Sequence, residues 1–183
     1  LLEVVNSDIL KWDLEKWIAA SGAPAAVVGN IPYNISSPLV LMCLQHIDRL
    51  KGLIFMTQLE FAKRLVAPPN TKDYGSLSVF AQLRAKMVLD CKVERRCFNP
   101  VPKVDSAIVI FKPLRQRLPT AKLRKIELVT RTAFTQRRKI LANSLSSLLK
   151  DTPEANVPID LNRRADSLAP AEFQALTEVL LPD

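Results

Sequence analysis

Up to about residue 113 the apolar positions cluster in short runs or alternate with period two; beyond it they recur at helical spacing. Ala25 to Gly29 and Leu53 to Thr57 are short apolar runs of the kind that make buried parallel strands. Leu1 to Val5 reads as the end of another buried strand, and after Asn6-Ser7-Asp8 the stretch Ile9 to Ala20 reads as a loop passing into a helix. Ser36-Ser37-Pro38 opens a helix to about His46, with serine as cap and proline in the first turn. Leu59 to Val66 predicts a helix stopped by Pro68-Pro69-Asn70, and Tyr74-Gly75-Ser76 leads into another from about Leu77 to Arg84. Met87 to Glu94 alternates as a strand, Phe98 to Asp105 is a proline-rich loop, and Ser106 to Lys112 is the last strand.

Strands alternating with helices imply an α/β fold with a mostly parallel sheet. The last two strands are joined by a loop rather than a helix, which makes them antiparallel. From Thr120 onward the pattern is helical: Leu123, Ile126, Leu128, Val129 and Phe134 suit one helix, and Ile140, Leu141, Leu145, Leu148 and Leu149 a second. A third runs from Ala171 to Leu180 behind Pro170. The expected organisation is therefore an α/β domain over residues 1–113 and a small all-helical domain over 114–183, with the junction at 113–119.

Composition narrows the functional classes. The longest apolar stretches are interrupted by Asn34, Gln45 or Gln58, which argues against a membrane span. The net charge of +8 favours a polyanionic partner, nucleic acid before membrane. Cys43, Cys91 and Cys97 form no ligand-like cluster and fit reduced cytosolic thiols; with His46 the only histidine, no metal site is expected. Arg115, Arg117, Lys122, Arg124, Lys125, Arg131, Arg137, Arg138 and Lys139 crowd the junction and the first two C-terminal helices, with Glu127 the only acid among them. Such a patch suits contact with phosphates, which positions RNA without reading its sequence.

Asn30-Ile31-Pro32-Tyr33 directly follows a predicted strand, where ligands bind in open α/β sheets. An exocyclic adenine amine is a poor nucleophile because its lone pair is shared with the ring. The Asn30 side-chain oxygen and the Ile31 carbonyl could accept its two hydrogens and localise that lone pair. Pro32 holds the turn, and Tyr33 offers a flat face for a base.

Gly29-Asn30-Ile31-Pro32-Tyr33-Asn34-Ile35-Ser36-Ser37-Pro38 resembles the fourth motif of the KsgA-type rRNA adenine dimethyltransferases. Phe98-Asn99-Pro100-Val101-Pro102-Lys103-Val104-Asp105-Ser106 resembles their eighth motif. Thr132-Ala133-Phe134-Thr135-Gln136-Arg137-Arg138-Lys139, followed by Asn143-Ser144-Leu145, resembles their C-terminal signature. The resemblance implies a partial Rossmann-like class I methyltransferase sheet followed by an RNA-binding helical domain, with S-adenosyl-L-methionine as cofactor. It implies that Asn30 and the Ile31 carbonyl hold the target amine, that Pro32 shapes the loop, and that Tyr33 and Phe98 pack on the two faces of the adenine. Asp8 corresponds to the residue accepting from the cofactor's adenine amino group, Ile9 lines the same pocket, and Asn30 borders it; Asp8 could instead cap the following turn. Lys103 and Asp105 are expected to brace their loop as an ion pair. Arg124, Lys125, Arg131, Arg137, Arg138 and Lys139 are the expected RNA contacts.

The four glycines, Gly22, Gly29, Gly52 and Gly75, form no Gly-x-Gly turn for the cofactor. The family pattern starts this chain near the end of the third strand, so a truncated chain, inactive alone, is expected. The implied activity is dimethylation of two adjacent adenosines near the 3′ end of 16S rRNA during ribosome biogenesis, by a cytoplasmic monomer acting on the immature 30S subunit and not on a membrane. The alternatives are a large-subunit rRNA adenine dimethylase and a non-catalytic RNA-binding assembly factor, or a mitochondrial transcription factor of the same ancestry.

Overall fold

The structure, a computed structural model, describes residues 2–22, 24–115, 118–150, 152–153 and 156–182. The chain forms two units, Leu1–Ala62 with Ala85–Arg115, and Lys63–Arg84 with Gln116–Asp183. The helical unit thus takes in a middle segment that a single boundary at 113 would leave with the sheet.

In the first unit, Asp13 caps α1 (Leu14–Ala20) by accepting from Lys16 N at 2.8 Å. Strand β1 (Ala25–Asn30) leads through a 3-10 turn at Tyr33–Ile35 into α2 (Ser36–Gln45), and β2 (Leu50–Gln58) passes directly into α3 (Leu59–Val66), whose residues from Lys63 onward belong to the second unit. β3 (Ala85–Val93) and β4 (Ser106–Pro113) complete a sheet of order β1-β2-β4-β3. β1 and β2 pair in parallel, whereas β4 runs antiparallel to both β2 and β3. Three of the four strands therefore point the same way, but inserting β4 leaves only one parallel pairing, fewer than the alternation of strands and helices implied.

One face of this sheet is buried. Leu53, Phe55, Ala107, Val109 and Phe111 lie on it, with Phe55 edge-on to Phe111 at 5.8 Å. Burying each of these phenylalanines contributes roughly 1.5–3 kcal/mol. Gly52 lies where a Cβ would stand 2.6 Å from the Phe111 carbonyl oxygen, at φ 156°, so this strand tolerates no side chain there. The other face carries Val28, Ile54, Ile110 and Val88, aligned in register across the four strands, and Val28 is 71% exposed.

Several sequence expectations change. β1 is half-open rather than buried, because no described helix covers its outward face. Leu2, Val4 and Val5 form no strand and are exposed, since no described strand stands beside them to pair their backbone; Leu1 lies outside the described residues. Ser36 is not a cap but the first residue of α2, with its hydroxyl turned back to the Pro32 carbonyl.

In the second unit, α4 (Ser76–Gln82) and α8 (Pro170–Leu180) pack on α5 (Thr120–Thr135). Tyr74 is fully buried here, donates to the Leu168 carbonyl at 2.7 Å and meets Phe134, which stacks on Phe173. Burial, reinforced by the Glu172 carboxylate, pushes the Tyr74 hydroxyl well above its usual range. Leu128, assigned above to the apolar stripe of α5, is 52% exposed. The single helix expected around 140–149 is two short ones, α6 (Leu141–Ser144) and α7 (Ser146–Leu149). Leu141 N and Ala142 N donate to the carbonyls of Arg163 and Leu161, and Ile140 bridges Arg164, so the start of this segment is held as extended chain.

Candidate active site and RNA-facing residues

The carboxyl ends of β1 and β2 meet the start of β4 at one end of the sheet. Asn30 is the last residue of β1 and is exposed there. Ile31 is 2% exposed and donates its N–H to the Met56 carbonyl at 3.0 Å, which anchors the loop on β2. Among the described residues no backbone N–H is donated to the Ile31 carbonyl. Pro32 is exposed, and Tyr33 bonds through its hydroxyl to Ser106 Oγ at 2.9 Å.

Behind the loop runs a buried polar chain. Thr57 Oγ1 donates to Ser36 Oγ at 3.0 Å, and Ser36 Oγ donates to the Pro32 carbonyl at 3.3 Å. Both hydroxyl side chains are almost completely buried, so each needs the partner it has. Sequence reading gave Thr57 and Ser106 no part in the site. The signal available was a small hydroxyl residue beside an apolar run, Thr57 late in β2 and Ser106 first in β4.

Phe98 is half-buried on the loop that leaves β3 at Val93 and re-enters the sheet at Ser106, its register partner. That loop returns to the end of the sheet where Asn30 lies, but no aromatic ring packs on Phe98 among the described residues. The loop is braced by Asp105, though not through Lys103. Asp105 pairs with Lys92 at 2.8 Å and accepts from Arg95 N at 3.0 Å, while Lys103 contributes only its carbonyl, to Arg95. Lys92 on β3 stands closer because Asp105 is the last residue before β4, directly beside that strand. The bond from Lys92, then that from Arg95 N, hold the Asp105 carboxyl below its ordinary range.

Asp8 accepts from Leu10 N at 3.0 Å and caps the 3-10 turn Ile9–Lys11, which packs on α2. Both Asp8 and Ile9 are exposed. The capping role of Asp8 is realised through Oδ1.

The basic residues separate by what they touch. Arg137 donates to the carbonyls of Lys72 and Thr71, each at 2.7 Å, and stands 3.5 Å from Asp166. Its guanidinium is thus engaged by the chain itself. Lys125 donates to the Pro182 carbonyl at 2.7 Å, and Arg131 lies 3.6 Å from Glu127, one turn away on α5. Arg124, Arg138 and Lys139 are exposed and have no carboxylate partner among the described residues. Arg115 is exposed, and Arg117 lies outside the described residues.

The model of the family described as ribosomal RNA adenine dimethylase matches residues 1–181. The chain belongs to this family. Among its relatives is "Ribosomal RNA small subunit methyltransferase A" of Blochmanniella floridana, 39% identical over 181 residues, covering 98% of this chain and 67% of the relative. Proteins of the same name from Acinetobacter baylyi and Leptothrix cholodnii are 40% and 44% identical, with 66% and 65% of their lengths covered. The chain thus spans about two thirds of the length of these relatives. A dimethyladenosine transferase from Plasmodium falciparum superimposes with TM-score 0.77 at 26% identity, over 95% of this chain and 70% of that one. The 23S rRNA methyltransferase ErmE gives 0.68 at 32% identity, over 97% and 71%. The mixed α/β sheet is thereby that of the dimethylase family. Among the described residues no helix is long and apolar enough to cross a membrane, and no group of side chains could hold a metal ion.

Proposed function

We propose that the protein containing this chain transfers two methyl groups to each of two adjacent adenosines near the 3′ end of small-subunit rRNA. The observation that carries the reading is the Asn30–Tyr33 loop, held at the carboxyl end of β1 with its tyrosine tied to Ser106. A family resemblance alone would not supply that geometry. The three relatives cited share the small-subunit name at 39–44% identity, which favours this substrate over large-subunit rRNA.

S-adenosylmethionine, when bound, supplies a methyl carbon attached to a sulfonium leaving group. The residues present suit one side of it: the Asp8 carboxylate as acceptor for its adenine amine, Ile9 as apolar lining, and Asn30 at the border. Asn30 Oδ1 and the Ile31 carbonyl accept the two hydrogens of the target amine and turn its lone pair outward. The Tyr33 ring stacks on the extruded base, and Phe98 closes on the opposite face; stacking of this kind is worth about 1–3 kcal/mol per base. No side chain has to remove a proton before attack, so the work of these residues is positioning. The helical unit takes the RNA backbone through Arg124, Arg131, Arg138 and Lys139, with Lys125 at its margin; Arg137 holds that surface in place.

The test is Asn30→Ala in the full-length enzyme. Methyl transfer to small-subunit rRNA is expected to vanish while RNA affinity stays within about twofold. Retained turnover would remove Asn30 from the chemistry and the reading with it.

A further inference from the structure

The helical unit contains a groove of about 650 Å³ between α5 and the α6–α7 segment. Pockets of roughly 300–1,000 Å³ hold small organic ligands. Arg124, Glu127 and Arg131 line it from α5, Gln136 from the end of that helix, and Asn143 and Ser144 from α6. The methyl-transfer site needs none of these residues.

Two observations mark the groove as a binding site rather than a surface fold. The first is Ser144. Its side chain is 93% buried by residue exposure, since only 7% remains accessible, and it lines the groove. Its Oγ is the one buried side-chain polar atom without a hydrogen-bond partner among the described residues. A hydroxyl buried without a partner is unfavourable, and a ligand oxygen or nitrogen that reached it would offset that cost. The second is the charge arrangement. Arg124 has no carboxylate partner among the described residues, and Arg131 is held only loosely, 3.6 Å from Glu127.

Two guanidinium groups call for an anion, yet Glu127 lines the same wall. A simple inorganic anion would be repelled by that carboxylate. A ribonucleotide offers both chemistries: its phosphate meets Arg124 and Arg131, and its ribose hydroxyls or exocyclic amine donate to Glu127. Asn143 and Gln136 carry amides able to meet a base edge. From this juxtaposition we infer that the groove seats one unpaired ribonucleotide of the bound RNA, held outside a helix, at a site separate from the adenosine being methylated. RNA is commonly recognised through such single nucleotides with their 2′-hydroxyls. The inference rests on the RNA-binding reading above and adds a defined seat to it.

Ser144→Ala and Arg124→Gln/Arg131→Gln in the full-length enzyme test this. Affinity for small-subunit rRNA and its salt dependence are measured beside thermal stability, with Arg138→Glu as a variant outside the groove. If Ser144 is merely a packing residue, removing an unsatisfied hydroxyl leaves or raises stability and does not touch affinity. The nucleotide seat requires undiminished stability with affinity lowered about fivefold or more, and a salt slope about one unit shallower for the arginine pair. Adenosine 5′-monophosphate titrated against the wild type is expected to shift the Arg124 and Arg131 side-chain NMR signals; inorganic phosphate and 2′-deoxyadenosine 5′-monophosphate are expected to do so less. Equal shifts with inorganic phosphate would mean an anion site only and would overturn the proposal. Wild-type RNA affinity in both groove variants, with affinity lost in Arg138→Glu, would overturn the groove alone. Absence of RNA binding by the wild type would overturn the broader functional reading with it.

Discussion

The Tyr33 hydroxyl and Ser106 Oγ, 73 positions apart in the chain, share a hydrogen bond of 2.9 Å. It joins the loop after β1 to the first residue of β4. A tyrosine that stacks on a base must hold its ring in one plane, and this bond fixes the far end of the ring. Tyr33→Phe and Ser106→Ala are each expected to cost about 1 kcal/mol of stability and to lower methyl transfer several-fold. Because they remove the same bond, the double variant should be little worse than either single one. Additive losses in a double-mutant cycle would show that the bond does not position the ring.

Arg137 and Arg138 are neighbours in sequence with different surroundings, the first bonded to the chain itself and the second exposed. Arg137→Ala removes two bonds to backbone carbonyls and is expected to destabilise the helical unit by about 2 kcal/mol or more. Arg138→Glu should change stability by no more than about 0.5 kcal/mol. It should nevertheless weaken RNA binding and flatten the salt slope by about one unit. Melting curves and RNA titrations at several salt concentrations separate the two; matched effects in both variants would contradict this division.

The Arg163–Glu172 pair predicts a pH response. The bond from Arg163 holds the Glu172 carboxyl below its ordinary range. The folded state therefore binds this proton less readily than the unfolded chain does. Its contribution is complete above the ordinary glutamate value of about 4.3 and is lost as pH falls through the depressed folded value. Glu172→Gln should lose less melting temperature than the parent between pH 6 and about 3.5. Parallel curves would show that the pair has no part in acid stability.

Burial pushes the Cys43 thiol up to about 11, while Cys91 and Cys97 are exposed. Since the thiolate is the reactive form, alkylation of the native protein followed by peptide mapping should mark Cys91 and Cys97 quickly and Cys43 only after unfolding. Rapid labelling of Cys43 would place it outside the core.

Most element positions were legible because each segment declared its own period. Leu59–Val66 was read to the residue, and β4 was read one residue short. What failed depended on neighbours that local pattern does not reveal. Val28 is as apolar as Val27, yet it faces outward because nothing described covers it. Lys103 is two positions from Asp105, but Lys92, 13 positions away, holds the carboxylate because the antiparallel pairing of β3 and β4 brings it there. The position of the Asn30–Tyr33 loop at the carboxyl end of β1 was readable, since its residue types break the apolar run there. The Thr57–Ser36 relay behind it was not, because two hydroxyls 21 positions apart have no signature until the sheet sets them side by side. Arg137 resembled its basic neighbours until the carbonyls of Thr71 and Lys72 were seen to occupy it.

The chain crosses between its two units more than once, and this bears on the order in which it can fold during synthesis. Tyr74 belongs to the helical core, but the Leu168 carbonyl that receives its hydroxyl lies 94 positions later. At about 5–20 residues per second, roughly five to twenty seconds separate the two at the ribosome. Through that interval β3 and β4 are made and can join β2, while the 63–84 segment waits with its apolar side chains unsheltered. The sheet can therefore settle first and the helical unit only once α8 is released, so the waiting segment is where a holding chaperone would be needed most.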